Sequence, residues 1–257
     1  MSRLVIMITA LYSAAFPAGA AADCTATSGP QRVAVLELYT SEGCDSCSSA
    51  DKWVSELPAR KLTSERVVAL AFHVDYWNEL GWVDRFSQPL FSARQRDQSR
   101  RRGASFVYTP QLLLNGRDYR RALLFDDFES KVKALNQQAP QAQIRVKLVR
   151  STGALDSQVD VHAESVRERH PEVYLALYEN NLATAVKGGE NRGRVLTHDF
   201  VVRELVGPLA LDDKGRLSYA HEFAVGAGWK PQDLHVAAFV QDPRSGDVLQ
   251  ALAAACR

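Results

Sequence analysis

The stretch Glu37-Leu-Tyr-Thr-Ser-Glu-Gly-Cys44-Asp-Ser-Cys47 links an apolar run to a helix-patterned segment through a short polar loop that carries two cysteines three residues apart. That order confines the local fold to a buried strand, a tight turn and a helix with the cysteines at its start. The helix follows from spacing, because Ala50, Trp53, Val54 and Leu57 recur at i, i+3, i+4 and i+7 before Pro58 ends the pattern. Cys44 is thereby placed at a helix N-terminus, where unpaired backbone N–H groups and the positive end of the helix dipole favour a thiolate. Cys47, one turn later, falls beside the Ala50/Val54 stripe. The expectation is a redox pair, with Cys44 exposed and attacking and Cys47 sheltered and resolving.

Before the loop, Val33 to Tyr39 is apolar on both faces apart from Glu37, as in a strand at the middle of a covered sheet. A carboxylate buried there either serves as proton acceptor for Cys47 during disulfide exchange or is simply hydrogen-bonded at the strand end. Downstream, Val107-Tyr-Thr109-Pro110-Gln-Leu-Leu-Leu114-Asn115-Gly116 places a proline at the start of a strand that turns at Asn-Gly, a type I′ hairpin signal. Two cysteines at this spacing are also half a zinc site, but no second Cys-x-x-Cys and no His-x-x-x-His accompanies them.

Strand, Cys-x-x-Cys helix, strand, helix, Thr-Pro, hairpin and helix, over residues 31 to 138, resembles the thioredoxin fold. Within that superfamily, Leu-Tyr-Thr-Ser-Glu-Gly-Cys-Asp-Ser-Cys, His73-Val-Asp75-Tyr-Trp77-Asn, Leu80-Gly-Trp82 and Tyr108-Thr-Pro-Gln111 are similar to an uncharacterised bacterial secreted thioredoxin-like family, domain of unknown function 1223. The resemblance runs over nearly the whole mature chain and implies an α/β thioredoxin-like domain with a dithiol site, not a substrate. It further implies a cis Thr109–Pro110 bond against the cysteine pair, with the backbone of Thr109 offered to an extended substrate segment. Cys44, Cys47, Thr109, Pro110 and Glu37 are then the catalytic candidates, although the loop from Glu37 to Cys44 is one residue longer than in thioredoxin.

Residues 1–22 read as a secretory signal: Arg3, an apolar stretch from Leu4 to Phe16, and a small-residue cleavage region from Ala18 to Ala22. The alternative of a lipid on Cys24 is disfavoured by acidic Asp23 just before it. The expectation is a soluble periplasmic or secreted product with no stable membrane insertion. Cys24 and Cys256 are what remain of four cysteines once Cys44 and Cys47 are paired, so parity in an exported chain predicts a structural disulfide between the two ends. A net charge of +1, from 31 basic and 30 acidic residues, gives no reason to expect nucleic acid or an anionic membrane surface as partner.

Val67 to Asp75 reads as a second buried strand, and His73 and Asp75 either line the redox site or cap the strand end. Tyr76, Trp77 and Trp82 follow in a glycine-containing loop, read as a rim for substrate. Asp84 to Arg102 is helical in pattern, with Pro89 in its first turns and Arg94, Arg96, Arg100, Arg101 and Arg102 toward its end, either a solvated face or an anionic-substrate patch. Leu124, Phe128, Val132 and Leu135 form the stripe of a last helix, capped by Asp126 or Asp127.

Residues 137–141 are a polar linker that closes the domain of residues 23–138. From residue 142 to 257 the period becomes two, at Ile144/Val146/Leu148, Val159/Val161/Ala163, Val173/Leu175/Leu177, Leu217/Tyr219 and Phe223/Val225, with strand-like runs at 201–206, 236–240 and 248–252. About seven short strands in about a hundred residues predict an all-β immunoglobulin-like sandwich as a second domain. There His198 and Asp199 read as a hydrogen-bonded pair at a strand end. The loop from Lys187 to Gly193 reads as a flexible hairpin, and whether it packs over the redox face is open at this point.

Together these features point to an exported thiol-disulfide oxidoreductase acting on protein or peptide disulfides with a redox partner protein, and needing no cofactor or metal. Asp45, a negative charge next to the thiolate, favours a reductase or isomerase over a primary oxidant. Two other classes stand beside it: a copper-delivery protein using Cys44, Cys47 and His73 for Cu(I), and a non-enzymatic binding module with a structural Cys44–Cys47 disulfide.

Overall fold

The computed structural model describes residues 23–119, 127–164 and 169–256; the expected signal segment, Leu124 and Asp126 lie outside them. Its strands are β1 (Asp23–Thr27), β2 (Ala34–Thr40), β3 (Val67–His73), β4 (Gln111–Leu114), β5 (Arg117–Asp118), β6 (Ala142–Ser151), β7 (Ala154–Ala163), β8 (Glu172–Glu179), β9 (Leu182–Ala185), β10 (Val195–His198), β11 (Val201–Ala210), β12 (Arg216–Ala224), β13 (Leu234–Gln241) and β14 (Val248–Ala254). The helices are α1 (Cys47–Ser55), α2 (Pro89–Arg101) and α3 (Phe128–Asn136).

Strands buried at nearly every position set the architecture, because both of their faces need a cover. β2, β3 and β8 are of this kind. They lie in one eight-stranded sheet of order β14-β13-β8-β11-β3-β2-β4-β5, in which β2, β3 and β11 run parallel. One face carries a continuous core, from Val35, Tyr39, Leu70 and Phe72 across Tyr174, Ala176 and Tyr178 to Ala237 and Phe239, with Phe91 of α2 packed on it. The opposite face is divided. Helices α1 and α3 cover Ala34, Leu36, Leu38, Ala69 and Ala71, while the four-stranded sheet β1-β6-β7-β12 covers Val173, Leu175, Leu177, Val236 and Ala238.

This overturns the expected α/β thioredoxin-like domain followed by an all-β immunoglobulin-like sandwich. The fold is mostly β, with three sheets and three helices among the described residues. The strands read beyond residue 142 do form, but β8, β11, β13 and β14 extend the sheet that β2 and β3 begin; Val201 pairs with Ala71, whose N–H donates to Phe200 O at 2.8 Å. The reason lies in β8. Val173, Leu175 and Leu177 alternate as in a half-buried sandwich strand, yet Tyr174, Ala176 and Tyr178 between them are buried too and need a second cover, which the core beside β2 and β3 supplies.

Local corrections follow the same physics. Helix α2 starts at Pro89, not Asp84, since proline suits the first helical position where its missing N–H is not needed. The Asn115–Gly116 turn forms as expected between β4 and β5, with φ of 48° and 72°. Gly116 is packed so closely that a Cβ there would lie 2.2 Å from Gly246 O. At the far end, Cys24 and Cys256 are disulfide-bonded with Cα atoms 5.4 Å apart, tying β1 to the segment after β14.

Candidate redox site

Parallel strands β2 and β3 end side by side at Thr40 and His73, and the chain leaving β2 carries the cysteine pair. Cys44 and Cys47 form a disulfide. Cys47 is the first residue of α1, and Cys44 lies in the turn before it, its N–H donating to Ser41 O and its carbonyl accepting from Cys47 N–H, each at 3.2 Å. The buried stripe of α1 is Cys47, Ala50, Asp51 and Val54, so Cys47 is sheltered as expected. Cys44 is not the exposed partner: it is 1 % accessible and Cys47 0 %.

The cover over Cys44 is the segment between β9 and β10. Asn191 Nδ2 donates to Glu42 O at 2.9 Å and to Cys44 O at 3.0 Å. The N–H of Asp45 donates to Glu190 Oε2 at 2.9 Å, and Arg194 pairs with Asp45 at 2.5 Å. Gly188 packs on Gly81 so tightly that a Cβ would meet Gly81 O at 2.2 Å. The glycine-rich Lys187–Gly193 loop thus does lie over the dithiol.

On the other side of Cys44, the Thr109–Pro110 bond is cis, and Thr109 Oγ1 lies 3.6 Å from Cys44 Sγ as a donor. The same hydroxyl accepts from Trp77 Nε1 at 2.7 Å. Thr109, Pro110 and Trp77 therefore gather at the pair. Trp82 is one step removed: its Nε1 donates to Glu42 Oε2 at 2.8 Å and its side chain packs against Gly189.

Glu37 is elsewhere. Leu36 and Leu38 face α1, so the strand alternation turns Glu37 to the opposite face of the sheet, where Arg94 Nε and Nη2 donate to its two oxygens at 2.8 Å each. Tyr39 OH donates to Glu37 Oε2 at 2.6 Å, and the guanidinium lies over Tyr174 and Phe239. Burial works against the charge on Arg94, but Glu37 with Tyr39 and Tyr174 outweighs it, for a net upward shift. The proton-acceptor role read for Glu37 is corrected accordingly. The arginine-rich end of α2 is corrected too: Arg94 is a core residue, Arg101 pairs with Asp97, and Arg102 pairs with Asp247 at 2.8 Å.

Behind the dithiol lies a buried polar cluster that sequence reasoning missed as a unit: Glu42, Asp51, His73, Asp84 and His198, each under 7 % accessible. Asp51 Oδ2 accepts from Thr40 Oγ1 at 3.0 Å. His73 Nδ1 lies 2.7 Å from Asp84 Oδ2, and Asp84 also accepts the N–H groups of Glu42 and Phe86. Burial pushes Asp51 above the usual carboxylate range. Burial also pushes Asp84 up, but His73 and the two backbone donors outweigh it and hold its carboxyl below that range. Burial lowers His73, and the surrounding carboxylates of Asp84, Asp51 and Glu42 together raise it, with a net upward shift. His198 is not bonded to Asp199, which instead accepts the N–H of Asn181; its ring stands 5.1 Å from that of His73. Asp75 does not line the pair, since it accepts from Ser92 Oγ. The missed signal was Asp51, a charged residue four after Cys47 and so on the same helical face as the buried cysteine.

A family model described as a protein of unknown function, DUF1223, matches residues 35–241. The chain belongs to the DUF1223 family. No curated protein matches this DUF1223 chain. Among solved structures it is similar to a protein from Agrobacterium tumefaciens, at 24 % identity and TM-score 0.61 over 88 % of this chain and 96 % of that one. It is also similar to HBP35 of Porphyromonas gingivalis, at 16 % identity and TM-score 0.67 over 88 % of this chain and 76 % of the other. At such identities the likeness concerns the fold alone. In the DUF1223 chain all four cysteines are in disulfides, and no helix among the described residues is long and apolar enough to cross a membrane.

Proposed function

We propose that the chain is an exported thiol-disulfide oxidoreductase that uses Cys44 and Cys47 on protein or peptide disulfides, in the periplasm or outside the cell. The observation that carries this reading is a disulfide closed across Cys-x-x-Cys at the start of α1, with the Thr109 hydroxyl on Cys44 Sγ. In the reduced protein, Cys44 thiolate attacks one sulfur of a substrate disulfide and the other leaves as a thiolate. Cys47, giving up its proton, then attacks Cys44 Sγ, so that the Cys44–Cys47 bond forms and the substrate departs as a dithiol. An external dithiol partner returns the pair to the reduced state. Two disulfides and no free cysteine suit an oxidising compartment.

Exchange requires the loop over Cys44 to open. Its outer ties are one exposed ion pair, Asp45–Arg194, which contributes about 0–1 kcal/mol, and the exposed hydrogen bond from Asp45 N–H to Glu190, so the barrier rests mainly on the buried Asn191. Asp45, whose charge favoured a reductase or isomerase, is paired with Arg194, and the direction of electron flow follows from the reduction potential. The burial of Cys44 favours one second reading, a binding module in which this disulfide is a staple. Insulin reduction by the mature chain separates the two. We expect turnover that Cys44→Ser abolishes, with Cys47→Ser accumulating a mixed disulfide; no turnover and no mixed disulfide would favour the staple.

A further inference from the structure

Two buried imidazoles beneath the dithiol carry nitrogens with no hydrogen-bond partner among the described residues. His73 Nε2 and both ring nitrogens of His198 make no hydrogen bond, although the residues are 0 % and 1 % accessible. A buried polar atom without a partner costs roughly 1–3 kcal/mol, so three of them in one place call for an explanation.

The surrounding carboxylates give one. His73 Nδ1 is engaged by Asp84 at 2.7 Å, which aims Nε2 the other way. His198 lies between two acids: Nε2 is 3.5 Å from Glu42 Oε1 and Nδ1 is 3.8 Å from Asp51 Oδ2. The second separation is too long for a hydrogen bond but close to the ~3.4 Å expected between two ligands that share one tetrahedral cation at bonds of about 2.0–2.1 Å. One ligand atom from each of Asp51, His73 and His198 lies within 4.8 Å of the others. Asp84 is hydrogen-bonded behind His73, and Glu42 stands 3.5 Å beyond the far nitrogen of His198, without a hydrogen bond to it. A hydrogen-bonded carboxylate such as Asp84 orients a metal-bound imidazole and raises its basicity. Trp82 Nε1 on Glu42 and Thr40 Oγ1 on Asp51 fix those carboxylates in turn.

We propose that Asp51, His73 and His198 form a buried site for a divalent first-row cation, Zn²⁺ above all, under the Cys44–Cys47 disulfide. Two imidazoles and a carboxylate suit Zn²⁺; the absence of sulfur from the set argues against Cu(I), and the presence of nitrogen against Ca²⁺ or Mg²⁺. The site joins α1, the end of β3 and the end of β10, so the cation would pin the cysteine helix and the covering hairpin to the central sheet. It is independent of the redox reading, because neither cysteine belongs to it.

The test is metal analysis of the untagged mature chain, followed by titration of the chelator-treated protein with Zn²⁺ against a chromophoric competitor. We expect one Zn²⁺ per chain, retained in the Cys44→Ser/Cys47→Ser double variant and in His170→Ala, a histidine outside the cluster. His73→Ala and His198→Ala should each weaken binding by more than 100-fold, and Asp84→Asn, which leaves all three ligands in place, by about 10–100-fold. Co²⁺ bound in place of Zn²⁺ should show a ligand-field spectrum without thiolate charge transfer. A wild-type chain that takes up no stoichiometric Zn²⁺ would overturn the proposal whatever the variants do. So would binding that survives the loss of both histidines, or that disappears with the cysteines.

Discussion

Glu37 and Arg94 are the clearest case of what single residues disclose and conceal. A carboxylate in an apolar strand can be recognised as buried from the sequence, but not which face it takes, and its partner lies 57 residues away on a helix whose arginines look solvated. We expect Arg94→Ala to destabilise the fold by about 3–5 kcal/mol in urea unfolding, because it strands a buried carboxylate. In Glu37→Gln the pH profile of Cys44 alkylation should stay as in the wild type; a shifted profile would restore a role for Glu37 at the thiols. Gly116→Ala should cost on the order of 2–4 kcal/mol, since a positive φ and a Cβ against the Gly246 carbonyl leave no relaxed conformation. The cysteines, by contrast, were legible at once, because their chemistry depends on a local spacing. His198 was not, for the groups around it come from residues 42 and 51, and nothing in its own neighbourhood announces them.

At the scale of elements, the strand–Cys-x-x-Cys–helix unit, the Thr-Pro segment and the Asn-Gly hairpin could be read because each is set by residues within a few positions. The cover on Cys44 could not. It depends on contacts between the 187–194 segment and the loops after β2 and β3, about a hundred residues or more apart in the chain. Asn191 makes two hydrogen bonds to the backbone around Cys44, worth together about 1–3 kcal/mol. Asn191→Ala should therefore speed reduction of the Cys44–Cys47 bond by dithiothreitol roughly tenfold or more, if opening of the loop limits access. Gly188→Ala should act in the same direction by driving the loop off Gly81. Unchanged rates in both variants would mean that the cover does not control access.

For the whole molecule, period-two patterning was enough to locate the later strands but not to assign them to sheets, because β8 shows the alternation of a sandwich strand on one face and a second buried set on the other. With one eight-stranded sheet passing through both parts of the chain, we expect a single cooperative unfolding transition, and a fragment of residues 23–138 that does not fold because β3 loses β11. The Cys24–Cys256 bond spans a sequence separation of 232 residues. Its loss in Cys24→Ser/Cys256→Ser should lower stability by up to roughly 5 kcal/mol in the simplest chain-entropy model. The same bond provides an internal standard for the redox claim, since structural disulfides typically have potentials below about −300 mV. The most direct measurement is equilibration of the mature chain in graded glutathione buffers, followed by acid quench, alkylation and peptide mapping of both bonds. Cys44–Cys47 should exchange reversibly across the glutathione range while Cys24–Cys256 stays oxidised; a Cys44–Cys47 bond that resists reduction as fully as Cys24–Cys256 would contradict an exchangeable dithiol.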